Sequence, residues 1–156
     1  MNDNFFIKKT IELAVENVKS GHGGPFAALI VKNGKIISTG VNSVTIENDP
    51  TAHAEIKAIR NACEKLNDYQ LKDCIIYSSC EPCPMCLGAI YWSRPKKLIF
   101  AATKNDAASA GFDDSFIYDE IDTKIDSRHL ETTIINEPDK FLPFKTWINF
   151  QKKIKY

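Results

Sequence analysis

Three cysteines packed into seven residues, Cys80, Cys83 and Cys86, constrain this chain more tightly than any other feature. They follow a short apolar run, CIIYSS over 74–79, that reads as a β-strand stopping at Cys80. The segment PMCLGAIYWS then has the composition of a short helix, and Pro95 marks its end. Cys83 and Cys86 stand three apart, so at a helix start they project from nearly one face. There the positive end of the helix dipole favours thiolate, the form that binds metal. Cys63 and Cys74 bring the total to five cysteines. An odd, clustered set behind no secretion signal makes a poor disulfide framework and points to metal or redox chemistry.

The junction at Cys80 belongs to a longer alternation of strands and helices. Residues 4–19 carry Ile7, Ile11, Ala14, Val15 and Val18 at helical spacing, closed by Gly21. PFAALIVK and KIISTGVNS are two β-rich runs joined through Asn33-Gly34, a hairpin signal that makes the first pair antiparallel. Pro50-Thr51 opens a second helix, AHAEIKAIRNACEKL, with Ile56, Ile59, Ala62, Cys63 and Leu66 facing inward. LIFAA over 98–102 is another apolar strand, and the βαβ connections favour parallel neighbours. Beyond it, NDAASAGFDDSFIYDEI reads as helical in pieces around Gly111. ETTII at 131–135 fits a fifth strand, and PFKTWINFQKKIKY a terminal amphipathic helix. No repeat, low-complexity tract or linker interrupts the 156 residues. The expectation is a single α/β domain over 1–156, a three-layer α/β/α sandwich around a five-stranded mixed sheet.

Two short motifs carry the chemistry: His53-Ala54-Glu55 and Pro82-Cys83-Pro84-Met85-Cys86. Residues two apart on a helix diverge by ~200°, so His53 and Glu55 share a centre only in the first turn. In an α/β sheet, helices begin at the carboxyl ends of strands, which brings the two motifs to one edge. One histidine and two cysteines leave a fourth tetrahedral position for water, the pattern of a catalytic zinc. Glu55 is then free to move protons. The combination H-x-E…P-C-x-x-C is the pattern of zinc nucleobase deaminases. Cys80 offers a competing reading, a closed Cys₃His structural zinc. An iron–sulfur run fits less well, because the position due for its fourth cysteine is Ile90. Cys63 and Cys74 read as small buried hydrophobes, and His22 and His129 as loop or surface histidines.

Twenty basic residues balance twenty acidic ones, so no overall positive field draws the chain to nucleic acid. The cluster Lys152, Lys153, Lys155 is explained equally by a solvated helix end. No apolar stretch approaches the ~20 residues of a membrane span, and MNDNFFIKKT lacks the build of a signal peptide. A cytoplasmic protein with no membrane or nucleic-acid partner is expected.

At these residues the sequence resembles the cytidine deaminase-like superfamily of zinc hydrolases, and within it the short bacterial guanine deaminases. The likeness runs through GGPFAALIVKNGKII, NDPTAHAEIKAIRNAC, YSSCEPCPMCLGAIYWSRPKK, AGFDDSFIYDEI and the aromatic C-terminal tail. It thins over 122–142, to which it assigns no role. The zinc motifs are common to the whole superfamily; FDDSF and the tail are what resemble guanine deaminases in particular. The resemblance implies hydrolysis of guanine to xanthine and ammonia, zinc hydroxide attacking C2 and Glu55 shuttling protons. It implies one Zn²⁺ per chain on His53, Cys83 and Cys86, with Asn42 touching the base and Asp114 near its polar edge. Phe26 and Trp92 are similar to aromatic walls of the pocket. A homodimer is also implied, its C-terminal segment (about 141–156) exchanged and Tyr156 closing the partner's pocket. Within the superfamily, a tRNA adenosine deaminase or a cytosine or cytidine deaminase stands as the alternative. Outside it stands a binding module built on a structural zinc.

Overall fold

The computed structural model describes residues 2–156. Helix α1, Asp3–Lys19, starts where the Asn2 side chain accepts a hydrogen bond from Phe5 N at 3.1 Å, with Asp3 in its first turn. Its buried face is Phe6, Thr10, Ala14 and Asn17. Ile11, Val15 and Val18, apolar residues that also recur at helical spacing, are about half exposed. The helix is apolar on two sides, and periodicity alone does not choose between them. Thr10 and Asn17 are tolerated inside because their polar atoms are bonded, Thr10 Oγ1 donating to Ile7 O at 2.7 Å.

β1, Ala27–Lys32, and β2, Lys35–Val41, form the expected hairpin. Asn33 and Gly34 both take positive φ (51° and 73°), as a two-residue type I′ turn requires. A single helical turn, α2 (Val44–Glu47), precedes α3, Ala54–Leu66. The sequence placed this helix start at Pro50-Thr51. Instead, Asp49 Oδ1 accepts from both Thr51 N and Thr51 Oγ1, at 2.8 and 2.7 Å. That local turn delays the helix and leaves His53 at its N-cap. β3, Cys74–Cys80, leads into α4, Pro84–Ser93, and then β4, Lys97–Ala102. α5, Lys104–Ser109, opens with a capping box between Thr103 and Asp106.

The sheet runs β2-β1-β3-β4, with β1 antiparallel to both neighbours and β3 parallel to β4. Alternation along β1 divides the core in two. Ala28 and Ile30 pack with Ile76 of β3, Ala54, Ala58 and Ala62 of α3 and Ile90 of α4. Leu29 and Val31 pack with Tyr77 and with Phe6 of α1 on the other face. The three layers are therefore α1, the sheet, and α3 with α4. Leu29, Ile30 and Ile76 are fully buried, each contributing ~1.5–3 kcal/mol. An exposed pair such as Lys9–Glu12, at 3.3 Å, contributes about 1 kcal/mol at most, so the core dominates.

The sheet has four strands among the described residues, where five were expected. Residues 131–135 are exposed and form no strand. Their Thr-Thr-Ile-Ile composition suits a half-buried pleated surface, and β-propensity without such a surface specifies nothing.

Contacts divide the chain into two units, Met1–Asp114 and Ser115–Tyr156. The second holds α6, Ser115–Asp122, a 3₁₀ turn Ile125–Ser127, and α7, Leu142–Asn149. The terminal helix is thus shorter than the sequence suggested, ending eight residues in at Asn149. Within the second unit, His129 N and Nδ1 meet the Glu120 carboxylate at 3.1 and 2.6 Å. No residue of this unit is buried.

Tyr77 gives the fold an alkaline limit. Its ring is buried against Phe6, and its Oη donates to Asp3 Oδ1 at 2.6 Å. Burial first, then the Asp3 bond, pushes the phenol up from 10.0 to about 12. The folded pKa lies above the unfolded one, so this contribution is complete below pH 10 and lost as pH rises through about 12. Melting curves of the parent and Tyr77→Phe should diverge least in that alkaline window, where the parent alone loses the term. A parent–variant gap independent of pH would show that the phenol proton does not report on folding.

Candidate active site

Two helix starts build the site. His53 is the N-cap of α3 and Cys83 the N-cap of α4, and neither side chain caps its own helix. Both are turned instead to a common point. Cys83 Sγ and Cys86 Sγ each lie 3.5 Å from His53 Nδ1. All three donor atoms fall within 4.8 Å of one another, the one such cluster of three among the described residues. Pro84 occupies the first position of α4, where a missing N–H costs nothing, and fixes the entry of the turn that carries both thiols.

Gly40 positions the α3 half. A Cβ there would lie 2.1 Å from Ala54 O and 2.5 Å from Ala58 N, so only glycine lets α3 rest directly on β2. Sequence reading missed this glycine. Its signal was a glycine inside a strand run, which marks a close backbone approach.

Protons are shared unevenly across the trio. Cys83 is pulled down to about 4, first by its bond with the Cys86 thiol and then by His53. Cys86 moves upward, chiefly because its proton is held by Cys83. His53 is raised by the Cys83 bond. A point that draws protons toward one thiolate is a point where a dipositive ion can replace them.

The donor set fits zinc. Zn–N and Zn–S lengths of about 2.0 and 2.3 Å in a tetrahedron separate nitrogen from sulfur by about 3.5 Å, the 3.5 Å found for both thiols. Cys80 is outside the cluster. It is buried, and its Sγ donates to Thr103 O at 3.6 Å. Burial pushes that thiol up to about 11, away from the thiolate a metal needs. Glu55 is 6% exposed on the first turn of α3, and burial drives its carboxyl upward toward the protonated form. Ser78 Oγ reaches Glu55 Oε1 at 3.4 Å.

Residues 1–102 match the family described as the cytidine and deoxycytidylate deaminase zinc-binding region, which spans both motifs. The chain belongs to this deaminase family. It is 56% identical to guanine deaminase of Bacillus subtilis over 156 residues, all of both chains. The X-ray structure of that protein superposes with a TM-score of 0.99, covering 100% of this chain and 99% of the other. A tRNA-specific adenosine deaminase of Aquifex aeolicus is 44% identical over 102 residues, 65% of this chain and 67% of the relative. A structure of guanine deaminase from Nitrosomonas europaea has a TM-score of 0.69 at 34% identity, covering 72% of this chain and 65% of that one.

The remaining expected residues of this deaminase are unevenly placed. Asn42 lies at the end of β2, its N–H donating to Phe26 O at 3.1 Å and its Oδ1 accepting from Gly24 N at 3.2 Å. Phe26 meets Phe112 edge-to-face, ring centroids 4.9 Å apart at 87°. Phe112 was not singled out from sequence, although it opens FDDSF. Asp114 is raised by burial and then by the negative charge of Cys83, which places its carboxyl in the field of the cluster. Trp92 is 65% exposed, six residues beyond Cys86 and about 9 Å further along α4. Tyr156 is exposed in the second unit.

Proposed function

We propose that this chain is a guanine deaminase, converting guanine and water to xanthine and ammonia at the His53–Cys83–Cys86 centre. The observation that carries the reading is the extent of the likeness to the Bacillus subtilis guanine deaminase. It includes 103–156, beyond the region shared by the family, whereas the tRNA deaminase relative aligns over about two thirds of the chain.

His53, Cys83 and Cys86 would hold one Zn²⁺, which when bound would supply a water activated at neutral pH, with a pKa of ~7. Glu55, buried and raised, would accept one proton from the attacking water and pass it to the ring nitrogen beside C2; it would then take the second proton from the hydroxyl now on C2 and deliver it to the amine as the C–N bond breaks. The positive N-terminal ends of α3 and α4, which carry His53 and Cys83, would favour negative charge on the oxygen. Asn42 and Asp114 hydrogen-bond the polar edge of the base, and Phe26 with Phe112 behind it covers one ring face. Ammonia release from guanine, guanosine, adenine, cytosine, cytidine and a tRNA anticodon hairpin tests the assignment. Guanine should exceed every other substrate; preference for the hairpin or a pyrimidine would overturn it.

The working unit in this reading is a homodimer exchanging the C-terminal segment. A unit with no buried residue that carries Leu130, Ile134, Phe144, Ile148 and Tyr156, each more than 60% exposed, has apolar surface to cover. A second copy is the low-cost way to cover it, and Tyr156 then completes the neighbour's pocket. Deleting residues 153–156 should leave zinc content and the far-UV spectrum unchanged and cut guanine turnover at least tenfold. Normal turnover by the truncated chain would reduce the tail to packing.

A further inference from the structure

Asn17, on the buried side of α1, is a polar residue with both amide donors engaged that the reaction above does not use. It is 4% exposed, and its Nδ2 donates to Gly24 O at 2.8 Å and to Asn42 O at 2.9 Å. One amide thus clamps two segments that sequence separates: the loop leading to Phe26, and the end of β2 that carries Asn42. We propose that Asn17 is a positioning residue for base recognition, holding the Gly24 and Asn42 backbones together so that the Asn42 side chain is set for the purine edge. The proposal rests on the reading of Asn42 as a substrate contact.

Three observations carry it. The end of α1 does not need the Asn17 side chain: Ser20 N, Gly21 N and His22 N close it on Glu16 O, Val18 O and Asn17 O. The clamped segments are already as near as backbones come, since a Cβ on Gly23 would lie 2.1 Å from Asn42 O. Finally, Gly24 N donates to Asn42 Oδ1 at 3.2 Å, so the clamp fixes the rotamer of Asn42 as well as its backbone. With Oδ1 engaged inward, the Nδ2 donors are the part of Asn42 left for a ligand. Donors of that kind suit the ring nitrogens and carbonyl oxygen of an oxopurine.

Asn17→Asp preserves size and removes both donors, setting an acceptor against two carbonyls. With zinc content and far-UV spectrum intact, it should raise KM for guanine about tenfold while kcat changes less than about threefold, the mark of lost binding rather than lost chemistry. The deciding measurement is a double-mutant cycle with Asn42→Ala. If Asn17 acts through Asn42, Asn17→Asp should change kcat/KM less than about twofold once Asn42 is alanine. Equal losses in both backgrounds would mean a general structural role and overturn the proposal alone. A neutral Asn42→Ala would overturn the reading of Asn42 itself, and the proposal with it. Should Asn17→Asp not fold, Asn17→Ala, which adds no charge, carries the same cycle; failure of both to fold would assign Asn17 to stability and end the proposal.

Discussion

Glu55→Gln should keep the metal and the fold and lose guanine turnover by about 10²–10⁴ or more. Glutamine has the same shape, retains an oxygen to accept from Ser78 Oγ, and carries no transferable proton. Glu55 is not one of the three clustered donors, so metal content should not change. The size of the effect follows from burial: a carboxyl only 6% exposed has little water beside it to substitute as proton carrier. Because one group serves several transfers in this mechanism, the loss should sit in kcat rather than KM. Steady-state ammonia release beside elemental analysis checks both halves. Turnover near that of the parent would remove Glu55 from the proton path.

Cys86→Ser and Cys80→Ser should separate completely. Cys86 is fully buried, with its sulfur 3.5 Å from His53 Nδ1, and no exposed group can replace it there. Serine is a poor zinc ligand at neutral pH, so bound zinc and turnover should both be lost. The melting temperature should fall as well, since a ligand that binds only the folded chain stabilises it by mass action. Cys80→Ser exchanges a thiol outside the cluster, bonded to Thr103 O, and should keep one zinc per chain. Zinc lost from Cys80→Ser would move the centre to the closed, structural type and remove the open position that hydrolysis needs.

The parts of this molecule legible in its sequence are those where local chemistry and tertiary need coincide. Asn33-Gly34 names its own turn type, and Pro84 names a helix start. Cys83 and Cys86 converge because a single turn puts them on one face. Legibility fails where the outcome depends on what lies opposite. The buried side of α1 could not be read because Ile11, Val15 and Val18 are as apolar as Phe6 and Ala14, while two of the chosen residues, Thr10 and Asn17, are polar. Residues 131–135 have strand composition and no place in the sheet. Ser78 and Asn17 carry no motif. Their positions beside Glu55 and Asn42 come from β3 pairing with β1 in the sheet and from α1 packing on one face of it, relations between segments far apart in the chain.

The close seating of α3 on β2 at Gly40 has a consequence for how the centre is assembled. A helix whose first carbonyl would touch any added carbon on the strand beneath has no slack, so its N-cap histidine is held by the backbone of β2. One methyl group at position 40, on a strand that carries none of the three donors, is therefore enough to carry His53 away from the two thiols of α4.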